Sequence, residues 1–196
     1  ACTLENPVVS YCGGSVVYTD SGGTAAYAFG PEGILWRYGS EKKLMAVFGG
    51  ASGQICMIHE ENEYLSAATI FEYDEKSSAL RELFTRKFGS HYMLAGAISP
   101  DGRQLALSGA YSNGGDAAGI VSFLRMSDGE VFTSNAEEEI YVKLFYADDG
   151  RLFAANSDSV RVLYHSLTAS SEEDSDQEIW NRENGRELLT DAVLVN

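Results

Sequence analysis

The sequence predicts an all-β fold, a β-propeller of about four antiparallel four-stranded blades that forms part of a larger propeller. Three observations predict it. The stretch Ala97-Ile98-Ser99-Pro100-Asp101-Gly102-Arg103-Gln104-Leu105-Ala106-Leu107-Ser108 carries one apolar strand into a Pro-Asp-Gly turn and out as a second. Pro100 presets φ, Asp101 caps the turn backbone and Gly102 accepts a positive φ. The unit returns 48 residues later as Tyr146-Ala147-Asp148-Asp149-Gly150-Arg151-Leu152-Phe153-Ala154-Ala155. A third turn, Ser127-Asp128-Gly129, lies 96 residues after Gly33, twice that period, and the spacing sets Tyr27 against Phe123. A recurrence of this size built from strands and turns is the mark of propeller blades.

The blades are expected at 5–40, 41–88, 89–136 and 137–196. Blade one reads Val8–Tyr11, Ser15–Tyr18, Ala25–Phe29 and Ile34–Tyr38, each run closed by a glycine-bearing turn. Blade two follows with Leu44–Phe48, Gln54–Ile58, Ala68–Tyr73 and Leu80–Phe84. Alternation through Phe71-Glu72-Tyr73 favours a hairpin over a helical turn near Ser78. Blade three holds the Pro-Asp-Gly unit, a long loop Tyr111-Ser112-Asn113-Gly114-Gly115-Asp116 and the strand Gly119–Arg125. Blade four runs from Ile140 through the Asp149-Gly150 turn, with its outer turn expected at Glu183-Asn184-Gly185 after Ile179–Arg182. The polar, acidic run 168–177 reads as a surface loop within or before the third strand, a slot for which Val160–Tyr164 competes. Leu105-Ala106-Leu107 and Leu152-Phe153-Ala154-Ala155 suit inner strands, which touch neighbouring blades through both faces.

With 196 residues the chain can bury a substantial core. Its formal net charge of −15 repels phosphate backbones, and its lysines and arginines form no basic stripe, so nucleic acid is not an expected partner. No run of 18 apolar residues is present, so no segment reads as a transmembrane helix. The sequence starts at Ala1 without an initiator methionine, which reads as a processed or excised product. Cys2, Cys12 and Cys56 include no CxxC pair, which removes the usual zinc and thioredoxin-type patterns. Cys12 and Cys56 lie in apolar strands and read as small buried hydrophobes, with a disulfide between them left open. Ala1-Cys2 would fit the remnant of a lipoprotein cleavage box.

No motif points to catalysis, a metal or a cofactor. Gly50-Ala51-Ser52-Gly53 is one residue short of a hydrolase elbow and lacks the lysine of a phosphate-binding loop. His59, His91 and His165 share no ligand spacing. Asp174-Ser175-Asp176 lacks the central glycine and distal glutamate of a calcium loop. Ser99-Pro100-Asp101-Gly102 places its glycine one position early for a sialidase-type Asp box. Gly49-Gly50 with Tyr64 and Phe71 meets the kelch pattern only once. The aspartates and glycines Asp101, Gly102, Asp128, Gly129, Asp149, Gly150 and Gly185 read as structural turn formers.

The unit Ile98-Ser99-Pro100-Asp101-Gly102-Arg103-Gln104-Leu105-Ala106 resembles the repeat of TolB-like and related WD-type propellers, with a weaker echo at 146–155. In pattern the whole chain also resembles clostridial membrane-anchored or lipoprotein-like propeller proteins of unknown function. The resemblance implies an extracytoplasmic bacterial scaffold that binds a protein or glycan and carries no catalytic residue across. Within it, Asp20, Ser21 and Gly22 and the loop of Tyr111, Ser112, Asn113 and Asp116 are the expected ligand-binding elements, being glycine-rich, polar and at comparable blade positions. Two other readings compete: a glycan- or peptide-acting hydrolase with converging carboxylates at the channel, and a spacer within a longer polypeptide. Those propeller families have six to eight blades, so four would expose apolar faces and self-associate. Closure of four would need Ala192-Val193-Leu194-Val195 to pair beside Val8–Tyr11. Far-ultraviolet circular dichroism should show β structure dominating with helix below about 10% of residues, and a helix content near the globular norm of about a third would overturn this fold class.

Overall fold

The turns that punctuate the sequence fix the sheets. Asp101, Asp128 and Asp149 each accept the backbone N–H of the residue two positions on, from Arg103, Glu130 and Arg151, at 2.9 to 3.1 Å. The intervening Gly102, Gly129 and Gly150 hold φ of 68°, 70° and 87°, a left-handed geometry that a side chain disfavours. Gly53, Gly102 and Gly150 close the first hairpin of blades two, three and four with one shared bond, each N–H reaching the carbonyl three residues back.

The structure is a computed structural model that describes residues 5–12, 14–137, 139–163 and 177–181. It contains four antiparallel four-stranded sheets, each a meander in chain order, arranged as the blades of a propeller. Blade one comprises β1 (Pro7–Cys12), β2 (Ser15–Asp20), β3 (Ala25–Gly30) and β4 (Gly33–Gly39). Blade two comprises β5 (Leu44–Gly49), β6 (Gln54–Glu61), β7 (Tyr64–Asp74) and β8 (Ala79–Phe88). Blade three comprises β9 (Tyr92–Ile98), β10 (Gln104–Asn113), β11 (Asp116–Arg125) and β12 (Val131–Glu137). Blade four comprises β13 (Lys143–Tyr146), β14 (Leu152–Ala155), β15 (Ser159–Leu163) and β16 (Gln177–Asn181). No helix occurs among the described residues.

The first strands line up and pack in succession, β1 and β2 against β5, β5 against β9, and β9 against β13. Blades two and three bury both faces, and each seam sets small residues among large ones. Ala26 and Ala28 of blade one share a core with Val47, Ile55, Met57 and Phe71 of blade two. Ala46 and Ala68 of blade two share one with Ile98, Leu105, Leu107 and Leu124 of blade three. Ala97 and Ala106 of blade three do so with Leu144, Leu152 and Leu163 of blade four. The approach is close enough that a Cβ on Gly96 would stand 2.4 Å from Phe48. Polar bonds add to two seams. Gly22 N–H donates to the Leu44 carbonyl at 2.7 Å and Leu44 N–H to that of Gly23 at 2.7 Å, tying blade one to blade two. The buried Ser66 hydroxyl of blade two donates to the His91 carbonyl at 3.0 Å and accepts from Met93 N–H at 3.1 Å in blade three.

Several expectations shift. Leu105–Leu107 and Leu152–Ala155, expected as inner strands, are the second strands of their blades and are buried. Tyr111–Asp116 is not a long loop: β10 and β11 pair up to Asn113 and Asp116, leaving only Gly114-Gly115 as the turn. The bulge of the third strand falls between Ala28 and Phe29 in blade one and between Phe123 and Leu124 in blade three. It aligns Ala28, not Tyr27, with Phe123, because Gly129 stands five residues after Leu124 whereas Gly33 stands four after Phe29. In blade four the third strand is Ser159–Leu163, and Gln177–Asn181 pairs with it as the fourth. The expected outer turn Glu183–Gly185 lies outside the described residues, as do Cys2, Ala192–Val195 and residues 168–176. Cys12 and Cys56 are buried and unbridged, Cys12 packing against the backbone of Gly49 and Gly50 in blade two.

The two Asp-Gly hairpins differ in one respect that is measurable. A Cβ on Gly102 would meet the Ser52 hydroxyl at 2.6 Å, whereas one on Gly150 meets nothing within 4 Å. Gly150→Ala should cost about 1–2 kcal/mol for the left-handed backbone alone, and Gly102→Ala clearly more, by urea unfolding; equal losses would show that crowding at Ser52 is irrelevant.

Candidate functional site

One end of the blades carries the β4–β5 and β8–β9 connections and the β2–β3, β6–β7 and β10–β11 turns, because strand direction alternates. Three adjoining grooves cross this end. The first, about 410 Å³, lies between blades one and two and is lined by Tyr38, Lys42, His59, Glu61, Thr85 and Lys87 among others. A second of about 590 Å³ shares Lys42 and Glu61 and extends past Tyr64 to Tyr92. The third, about 400 Å³, shares Tyr92 and reaches Tyr111, Ser112 and Asp116 in blade three. Together they form one trough over blades one to three.

Charge is held in place within it. The Glu61 carboxylate, its side chain only 6% exposed, accepts from Lys42 and stands 3.5 Å from Lys87. The Lys42 hydrogen bond, followed by the charges of Lys42 and Lys87, holds Glu61 below the usual carboxylate range against the opposing effect of burial. Deeper in the same groove His59 is buried, with Nδ1 2.8 Å from the Glu60 carbonyl and Nε2 2.8 Å from the Thr69 hydroxyl. Thr69 lies 2.8 Å from the Thr85 hydroxyl, which donates to Glu82 at 2.9 Å. This chain satisfies an imidazole that would otherwise be stranded between two blades, so His59 reads as a fixed structural group.

Aromatic surface lies alongside. Tyr64 and Tyr92 are exposed, and the Lys87 ammonium sits 5.2 Å from the Tyr64 ring centre. His91 meets Tyr111 edge-on at 5.6 Å, and burial pushes its imidazole below the ordinary histidine value. Among the described residues no group of three His, Cys, Asp or Glu side chains is placed to hold a metal ion.

The sequence-predicted residues divide. Tyr111, Ser112 and Asp116 line the trough, while Asn113 sits at the hairpin end outside the lining. Asp20, Ser21 and Gly22 line none of these grooves and are engaged in the framework: Asp20 accepts from Asn6 N–H at 2.5 Å, Ser21 N–H donates to the Asn6 carbonyl, and Gly22 reaches Leu44. Sequence reasoning missed Lys42, Glu61, Tyr64, Lys87 and Tyr92. The β6–β7 turn carries no glycine; Glu63 itself takes the left-handed position at φ 66°, so the usual turn signal is absent where the trough is most polar. Glu41-Lys42-Lys43 opposite Glu60-Glu61 was the charge signal available.

Residues 1–183 match a family described as a family of unknown function, DUF5711. The chain belongs to that family. No curated protein matches the sequence. Solved structures share the fold. The β-propeller domain of Myceliophteria thermophila Cps50 (Swd1) has a TM-score of 0.59 at 10% identity, over 87% of this chain and 55% of that one. The Neurospora crassa Pan2 WD40 domain has a TM-score of 0.57 at 12% identity, over 88% and 49%. A Bacteroides uniformis protein whose name proposes a 6-phosphogluconolactonase has a TM-score of 0.59 at 14% identity, over 92% and 59%. The chain thus spans about half the length of these structures. At such identities the likeness concerns architecture alone.

Glu61 supplies a pH test. Its folded value is depressed, so its stabilisation is present above the unfolded glutamate value and is lost as pH falls through the folded one. Glu61→Gln should reduce stability by up to about 1 kcal/mol near pH 7, and the variant and the wild type should converge in acid; a difference independent of pH would exclude the ion pair as its cause.

Proposed function

We propose that this chain is a non-catalytic binding module that takes an extended segment of a protein partner along the trough over blades one to three. The observation that carries this reading is the alternation of exposed tyrosine with fixed charge, Tyr64 and Tyr92 beside the Lys42–Glu61–Lys87 cluster. Tyrosine contributes large contact area at low rotamer cost and is enriched among residues that dominate binding energy. The paired charges supply orientation without a desolvated lone ion.

The titratable groups support binding over turnover. Glu61 is neutralised by two lysines, and His59 is occupied through both ring nitrogens. The WD40 and β-propeller domains among the structural neighbours are compatible with an interaction role. The resemblance to bacterial surface propellers supports a location outside the cytoplasm for this binding.

Display of a random peptide library on the purified protein is the direct test, with a glycan array and hydrolase substrates run in parallel. Selected peptides should bind at least about tenfold more weakly to Tyr92→Ala, a truncation worth 1.4 kcal/mol or more, with unfolding unchanged. Ligands found only on the glycan array would replace the protein partner, and turnover of an arrayed substrate would overturn the non-catalytic reading.

A further inference from the structure

The face of blade one turned away from blade two is a separate surface. Alternation along β1, β2 and β3 sends Cys12, Val17, Ala26 and Ala28 into the core shared with blade two. It sends Val9, Tyr11, Tyr18, Tyr27 and Phe29 to the other side. Val9 lies opposite Tyr18 and Tyr18 opposite Tyr27 across the sheet. The Tyr18 ring stacks on Tyr27 at 5.0 Å and on Phe29 at 5.5 Å. Val9, Tyr11 and Ile34 are 56%, 81% and 63% exposed. Arg37, opposite Tyr27, lays its guanidinium over that ring at 5.6 Å. An aromatic and apolar face of this kind marks an interaction surface.

Register shows what it fits. The third-strand bulge lies just before Phe29 in blade one, Phe71 in blade two and Leu124 in blade three. The three residues therefore hold one position. Phe71 and Leu124 each face the preceding blade, Phe71 in the core with Ala26 and Ala28 and Leu124 in the core with Ala46 and Ala68. They are 3% and 0% exposed. Phe29 occupies the same receiving position on a face that is open.

We propose that this face of blade one receives a further four-stranded blade of the same propeller, supplied by the same polypeptide outside residues 1–196. The incoming sheet packs small side chains against Tyr18, Tyr27 and Phe29, as Ala26 and Ala28 of β3 do in the core that holds Phe71 and Ala68 of β7 does in the core that holds Leu124. The solved structures, of which this chain covers 55%, 49% and 59%, have room for such blades. A second copy of the chain is a poorer occupant. The equivalent outgoing face of its blade four carries Phe145 stacked on Phe153 at 5.1 Å, and Ala147, Phe153 and Val162 there are already buried.

The test compares the 196-residue chain with the polypeptide encoded by its whole gene. Val9→Cys and Ile34→Cys, labelled with a maleimide and mapped by peptide mass, should react freely in the shorter chain and about tenfold or more slowly in the longer one. Equal reactivity in both overturns the proposal. Protection that appears in the shorter chain as its concentration rises, with a doubled mass by light scattering, overturns it in favour of a second copy. Tyr11→Asp, at a position open to solvent here, should lower the melting temperature of the longer polypeptide and leave that of the shorter one unchanged; equal shifts would also overturn it.

Discussion

Every seam of this molecule depends on one constraint: two sheets must approach face to face and fill the space between them. Large side chains on both partners would hold the sheets apart, and small ones on both would leave voids. The chain resolves this by mixing sizes at each seam. Ala26 and Ala28 share a core with Met57 and Phe71, Ala46 and Ala68 with Leu105 and Leu124, and Ala97 and Ala106 with Leu144 and Leu152. Gly96, opposite Phe48, is the limit of that close approach.

That constraint also explains where the trough forms. The alanines let the inner strands close together, and the sheets diverge towards their outer strands and ends. The space opening between blades at one end is bordered by the connections from one blade to the next, one of which carries Lys42 and another of which leads into Tyr92. Groups too polar for the seams collect there. His59 and Glu61 sit where β6 leaves the packed layer, and each is met by partners from more than one strand or connection.

Much of this was legible in the chain and some was not, for identifiable reasons. The Asp-Gly turns at 101, 128 and 149 announce themselves because only glycine accepts that backbone freely, so strand number and blade order followed. Register did not, since Tyr27 and Phe123 share a spacing but not a side of the sheet; a one-residue difference between outer turns exchanges faces, and the sequence period cannot report it. Tyr111–Asp116 was singled out as polar and glycine-rich, and its tip does border the trough. Its strands extend further than expected because β10 and β11 continue to pair after the seam has ended. Asp20–Gly22 had the same composition and a different fate, its carboxylate and amides being consumed by Asn6 and Leu44. Composition identifies turns well. Which turns keep free polar groups is decided by neighbours distant in sequence.

The seams also differ in what holds them. Blade one is tied to blade two through main-chain groups of Gly22, Gly23 and Leu44, which no change of side-chain hydrogen-bonding group removes. Blade two is tied to blade three through a single buried hydroxyl, that of Ser66, serving both His91 and Met93. The first seam is thus indifferent to the loss of any side-chain hydrogen-bonding group there, while the second can be loosened by a single substitution at Ser66. Because Ser66 lies next to Leu65, such a change would act at the edge of the trough bounded by Leu65, Tyr92 and Tyr111.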